Sequence, residues 1–162
     1  MKVVHICLCG PYTDGFAYQD NILPQKHSEL GYEVNMLVSQ RSYNNKGNVI
    51  FRACKDYKDS RGIEISILPY DRKYGRIAVR LGIFKSLILK LNNIKPDIIF
   101  VHGLQFISIK KILTYKLKNR DVKIYIDNHA DLYKYSVRQY KKINDTNGFI
   151  WISREKISTI CR

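Results

Sequence analysis

Val122-Lys-Ile-Tyr-Ile-Asp-Asn-His-Ala-Asp131 decides how this chain is read. Val122, Ile124 and Ile126 fall on every second position, the period of a strand with one buried face. Asp127, Asn128, His129 and Asp131 follow at once. In a parallel α/β sheet, ligands bind outside the carboxyl ends of the strands. A strand that empties into two carboxylates, an amide and an imidazole therefore reads as the edge of a site. The plainer alternative is a solvated loop in which Asp131 caps the next helix and His129 is incidental.

Two other segments end the same way. Val3 to Leu8 is a near-continuous apolar run, as expected of a central parallel strand buried on both faces. It stops at Cys9-Gly10 and a polar loop that reaches Asn21. Asp97 to Val101 is followed by His102-Gly-Leu-Gln105. Between these lie a helix to about Leu30, which Pro24 should kink or begin, and strands Glu33–Ser39 and Ile63–Leu68. Gln40 to Gly62 reads as a long polar excursion with at most a turn of helix.

A helix is expected from Ile77 to Asn93, with Ile77, Leu81, Phe84, Ile88 and Leu91 at helical spacing. Further helices are expected over Phe106–Leu117 and Leu132–Lys142, and a last strand over Phe149–Ile152. The alternation predicts a single α/β domain over residues 1–162, Rossmann-like, with a mostly parallel sheet and helices on both faces. Right-handed crossovers give the order 3-2-1-4-5 with the last strand at an edge. The ends of strands 1, 4 and 5 would then share one crevice. The segment at Arg162 has no stop signal, and the chain reads as cut there.

The chain has 162 residues, 45% of them hydrophobic, so it can bury a proper core. Lys and Arg number 28 against 14 Asp and Glu, a formal charge of +14 that favours anionic partners. No apolar run approaches the roughly 18 residues that a membrane span needs. Cys7 and Cys9 lie two apart on the first strand, hence on one face, and have no zinc spacing. Reduced, buried thiols in a cytoplasmic protein are the expectation.

Several chemistries lack their motifs. No G-x-G-x-x-G follows the first strand, and the second ends in Ser39-Gln40 instead of a ribose-binding acid. There is no Walker loop and no G-x-S-x-G elbow. His102 and His129, with Asp127 and Asp131, could ligate a metal, but no spacing is diagnostic and none is expected. His5 and His27 read as packed or capping residues.

Asp14-Gly-Phe-Ala-Tyr-Gln-Asp-Asn-Ile-Leu-Pro-Gln-Lys-His-Ser-Glu-Leu-Gly-Tyr-Glu-Val34 resembles the opening of glycosyltransferase family 4. Asp59-Ser-Arg-Gly-Ile-Glu-Ile65, Pro96-Asp97 and Asp127-Asn-His-Ala-Asp131 fit the same pattern. The resemblance covers nearly the whole chain. It implies the N-terminal, acceptor-side half of a GT-B fold, with the donor-binding C-terminal domain absent. It implies a retaining transferase that moves a sugar from a nucleotide-sugar to a glycan or lipid-linked acceptor without a metal or other cofactor. His129 matches the family's catalytic strand-end histidine. Gly15, Phe16 and His102 would lie against the donor phosphates and sugar. Tyr18, Gln19, Asn21, Asp127, Asn128 and Asp131 would line the acceptor. The family's glycine pair is Gly15-Phe16 here.

Arg72, Lys73, Arg76 and Arg80 carry two readings: the solvated rim of a core helix, or a surface that docks on anionic lipid. The second would make the protein peripheral on the inner face of the membrane. Two rivals remain from other classes. Tyr133, Tyr135 and Tyr140, interleaved with Lys134, Arg138, Lys141 and Lys142, could stack on and neutralise nucleic acid, although no nucleic-acid motif accompanies them. The chain could also be a non-catalytic subunit that needs a partner donor domain.

Overall fold

The computed structural model describes residues 1–127 and the strand 150–152. The main sheet is built from β1 (Lys2–Cys7), β2 (Glu33–Ser39), β5 (Asp56–Lys58), β6 (Glu64–Leu68), β7 (Ile98–His102), β8 (Lys123–Asp127) and β9 (Ile150–Ile152). Its order is β5-β6-β2-β1-β7-β8-β9. Every neighbouring pair is parallel except β5 with β6. The six parallel strands have the order expected from right-handed crossovers, and β5 adds an antiparallel edge. The arrangement is α/β and compatible with a Rossmann-like fold.

Alternation along the strands sends apolar residues to two cores. Val4, Ile6, Leu37, Ile99, Val101, Ile124 and Ile126 join one. Helices α3 (Leu87–Ile94) and α4 (Ile109–Lys118) cover it with Leu87, Leu91, Ile112 and Tyr115. Tyr115 also donates its hydroxyl to the Leu91 carbonyl at 3.2 Å, which joins the two helices. Cys7, Val34, Met36, Val38, Ile65 and Ile67 form the other core. Helix α1 (Gln19–Glu29) lies on this second face and reaches β1 through His27. Pro24 sits inside α1, whose start at Gln19 precedes it by more than a turn.

Three expectations need correction. The polar stretch from Gln40 to Gly62 holds no helix. It forms an antiparallel hairpin, β3 (Arg41–Tyr43) with β4 (Val49–Phe51), and then β5. Cys7 and Cys9 do not share a face: β1 ends at Cys7, and Cys9 packs against the opposite core. Once the pleat stops, so does the period of two. Finally, the helix expected over Ile77–Asn93 is two helices, α2 (Gly75–Leu81) and α3.

Gly82 causes that break. It caps α2 in the left-handed region, at φ 62° and ψ 53°. The chain then dips so that Phe84 bridges to Tyr70, their rings 4.6 Å apart, and the Phe84 N–H donates to Ser108 Oγ at 2.8 Å. A Cβ on Gly82 would lie 2.4 Å from Phe106 Cβ. As a result α2 is a surface helix in which only Ala78 is fully buried. No helix among the described residues is long and apolar enough to cross a membrane. The expected helix Leu132–Lys142 lies outside the described residues, as do the tyrosines and cations proposed for nucleic acid.

Gly82→Ala carries two penalties. A left-handed non-glycine residue costs about 1–2 kcal/mol, and forcing Phe106 aside about 1–3 kcal/mol more. Gly47 has φ +77° but open space around it, so Gly47→Ala carries only the first. In urea unfolding, Gly82→Ala should have the clearly lower midpoint; equal midpoints would mean that the contact with Phe106 is unimportant.

Candidate functional site at the carboxyl rim of the sheet

Strands β1, β7 and β8 are neighbours, and their carboxyl ends open on one rim. His102, the last residue of β7, pairs in register with Asp127, the last of β8. The Gly103 N–H donates to the Asp127 carbonyl at 2.7 Å, so the chain leaving β7 turns over the end of β8. Gly103 is at φ +83°, and a Cβ there would meet Cys9 Sγ at 2.9 Å and Gln105 Oε1 at 3.0 Å. The β1 exit and the β7 exit are therefore in close contact.

The loop after β1 is tied down from the other side. Arg41 donates to the Cys9 carbonyl at 2.8 Å, and Ser39 Oγ donates to the Gly10 carbonyl at 2.8 Å. Thr13 Oγ1 accepts from the Tyr43 N–H at 3.0 Å. Asn21 is buried, and its Nδ2 donates to the Thr13 carbonyl at 3.1 Å. Asn21 thus holds the loop from below. Gly15 turns at φ +77° in open space. Beyond it Phe16 and Tyr18 are exposed, ring edge to ring face at 5.6 Å. Gln19 begins α1 and is half-buried.

Two shallow grooves flank this loop. One of about 670 Å³ lies between Thr13, Asp14 and the hairpin residues Tyr43, Ile50 and Arg52. The other, about 630 Å³, lies between Phe16, Tyr18, Asn45 and Gly47. A cleft of about 520 Å³ also exists at the opposite edge, around Pro96, Tyr115 and Asp121. It faces the amino ends of β7 and β8 and gathers no cluster of reactive side chains, so the carboxyl rim is the better candidate.

Under the rim runs a row of three imidazoles. His5 Nδ1 is 3.0 Å from His102 Nε2, and His5 Nε2 is 2.9 Å from His27 Nδ1. His102 Nδ1 then points outward, 3.2 Å from Asp20 Oδ1 in the first turn of α1. His5 is fully buried and packs against Phe100, ring centroids 5.4 Å apart. Burial lowers its pKa well below the usual histidine value, and the neighbouring His102 and His27 push the same way. His27 is lowered too, first by burial and then by His102. Burial thus favours the neutral form of His5 and His27, and a neutral ring has one N–H to offer its contacts. Burial raises the thiols of Cys7 and Cys9, that of Cys9 to about 12. Cys7, Cys9 and Cys54 are free thiols.

Of the residues expected at a site, the structure brings His102 and Asp127 to one rim, with the loop carrying Gly15, Phe16, Tyr18, Gln19 and Asn21 beside them. His102 and Asp127 are buried, so they border the rim from within. Asn128, His129 and Asp131 lie outside the described residues. His5 and His27 are packed, as expected, but His5 is also hydrogen-bonded to the site residue His102, and His27 to His5. Asp20 and Cys7 went unmarked. The available signal was β-register: His5 and Cys7 share one strand face, and strand order puts the end of β7 beside it. No protein-family model matches the chain, and no curated protein is similar to it.

Proposed function

We propose that this chain is the N-terminal, acceptor-side domain of a retaining, metal-independent glycosyltransferase of the GT-B type. It would move a sugar from a nucleotide-sugar to a glycan or lipid-linked acceptor. The observation that carries the reading is the shared rim. The glycine-turned loop at Gly15, the β7 end at His102 and the β8 end at Asp127 open on one side of a parallel sheet. The stretch Asp14–Val34, which resembles glycosyltransferase family 4, supplies that loop and the helix beneath it.

In this reading the protein's share is orientation and electrostatic stabilisation of the leaving phosphate. His129, two residues beyond β8, contacts the transferred sugar. The open grooves beside Phe16, Tyr18 and Tyr43 suit a polar acceptor with sugar faces to stack on aromatic rings. The donor needs a second α/β domain, on the same chain or on a partner. The test is transfer from UDP- and GDP-sugars with that domain present. His129→Ala should lower turnover by about 10²–10³-fold, the usual cost of one group that stabilises developing charge. Unchanged transfer would remove the catalytic assignment.

The membrane contact is part of the same proposal. Arg72, Lys73, Arg76 and Arg80 are all exposed. Tyr74, Ile77 and Leu81 are exposed among them, and α2 buries little of its own surface. This combination favours a lipid-facing helix over the solvated rim of a core helix. It would hold the protein at the cytoplasmic face, where a lipid-linked acceptor is found. Each cation near an anionic surface is worth about 1 kcal/mol. Arg76→Gln with Arg80→Gln should therefore weaken co-sedimentation with phosphatidylglycerol vesicles roughly tenfold or more; binding that ignores anionic lipid content would contradict the docking surface.

A further inference from the structure

The geometry points to a binding site for a zinc-class divalent cation, held by Cys7 Sγ, the Asp20 carboxylate and His102 Nδ1. This site shares His102 with the rim of the sugar-transfer reading, but it rests on its own geometry and its test does not require transfer. One ligand atom from each of the three residues lies within 4.8 Å of the other two, and His102 Nδ1 is the ring nitrogen that faces Asp20, at 3.2 Å. They come from the end of β1, the first turn of α1 and the end of β7. Thiolate, imidazole and carboxylate are the donors zinc takes, and three protein ligands with one position left for solvent is a common set.

A second observation concerns His102 itself. Its side chain is 2% exposed, and Nδ1 makes no hydrogen bond. Asp20 Oδ1 is only 3.2 Å away, yet off the line along which an N–H would donate. A buried ring nitrogen without a hydrogen bond costs about 1–3 kcal/mol. Two acceptors that face each other at this separation, without a proton between them, are spaced as neighbouring N and O ligands of a tetrahedral ion are. A zinc ion about 2.0–2.2 Å from each would fit between them, and the Cys7 side chain closes the third side.

The imidazole row fits the same assignment. A metal-bound histidine donates its other ring N–H to a fixed partner, which sets its tautomer. If Nδ1 of His102 faces the ion, Nε2 carries the proton and donates to His5 Nδ1 at 3.0 Å. His5 then donates from Nε2 to His27 Nδ1 at 2.9 Å. Each ring holds one proton, and no contact in the row is frustrated. The Asp20 side chain is 38% exposed, so solvent and ion can reach the site from the rim. The ion would tie α1 to the ends of β1 and β7. It takes no part in transfer under the proposal above.

The experiment is titration of the purified full chain with Co²⁺, followed by competition with Zn²⁺. One equivalent should bind and produce a thiolate-to-cobalt charge-transfer band, which Zn²⁺ then abolishes. Cys7→Ser should remove the band, and Asp20→Asn, on a half-exposed side chain, should weaken binding at least about tenfold. Cys54→Ser and Cys161→Ser should leave both unchanged. If Cys7→Ser does not fold, Asp20→Asn and the two control variants still decide the matter. The proposal is overturned by the absence of stoichiometric binding, by a band that survives Cys7→Ser, by full affinity in Asp20→Asn, or by a band lost in either control.

Discussion

Parallel, in-register pairing of β1 with β7 and of β7 with β8 is the constraint on which the rest of the molecule depends. Both faces of β1 and β7 are covered, so a slip of one residue would turn their buried side chains to the wrong core. Val4 and Ile6 must meet the α3–α4 side, and His5 and Cys7 must meet the α1 side. With register fixed, the strands end at a common rim. The loop residues beyond them have no freedom to diverge until after Cys9, Gly103 and Asp127.

The two faces of the sheet solve burial differently. On the α3–α4 side the core is almost wholly apolar. On the α1 side, His5, Cys7 and Asn21 are buried beneath a helix that is itself mostly polar. Each unpaired polar group buried there costs about 1–3 kcal/mol, so most find a partner. His5 satisfies both ring nitrogens with other imidazoles, and Asn21 donates to the Thr13 carbonyl. The row ends at the buried His102 Nδ1, and the Asp20 carboxylate beside it is the group that meets solvent. Reactive groups thus collect at the rim on the α1 side, where a mostly polar helix covers the strand ends.

Strand order was readable from sequence because apolar runs, Pro96 and the crossover rule leave few alternatives. The interrupted helix was not. Ile77, Leu81, Phe84, Ile88 and Leu91 keep helical spacing across Gly82, and only the approach of Phe106 shows why the chain must turn there. The β3–β4 hairpin escaped because strands of three residues with exposed Val49, Ile50 and Phe51 have no buried-face pattern. At the rim, His102 and Asp127 were visible as polar residues ending apolar runs. Asp20, Cys7 and the bonding of His5 and His27 were not, since each contact joins elements far apart in sequence.

The rim exists only if the first turn of α1 lies against the ends of β1 and β7. Disulfide trapping in an Asp20→Cys variant tests it most directly, because Cys7 offers a native thiol at the place the account requires. After mild oxidation, peptide mapping by mass spectrometry should find the new thiol linked to Cys7, whose Sγ lies within 4.8 Å of the present Asp20 carboxylate. A thiol at position 20 that stays free, or that pairs only with exposed Cys54, would mean the rim does not assemble as described.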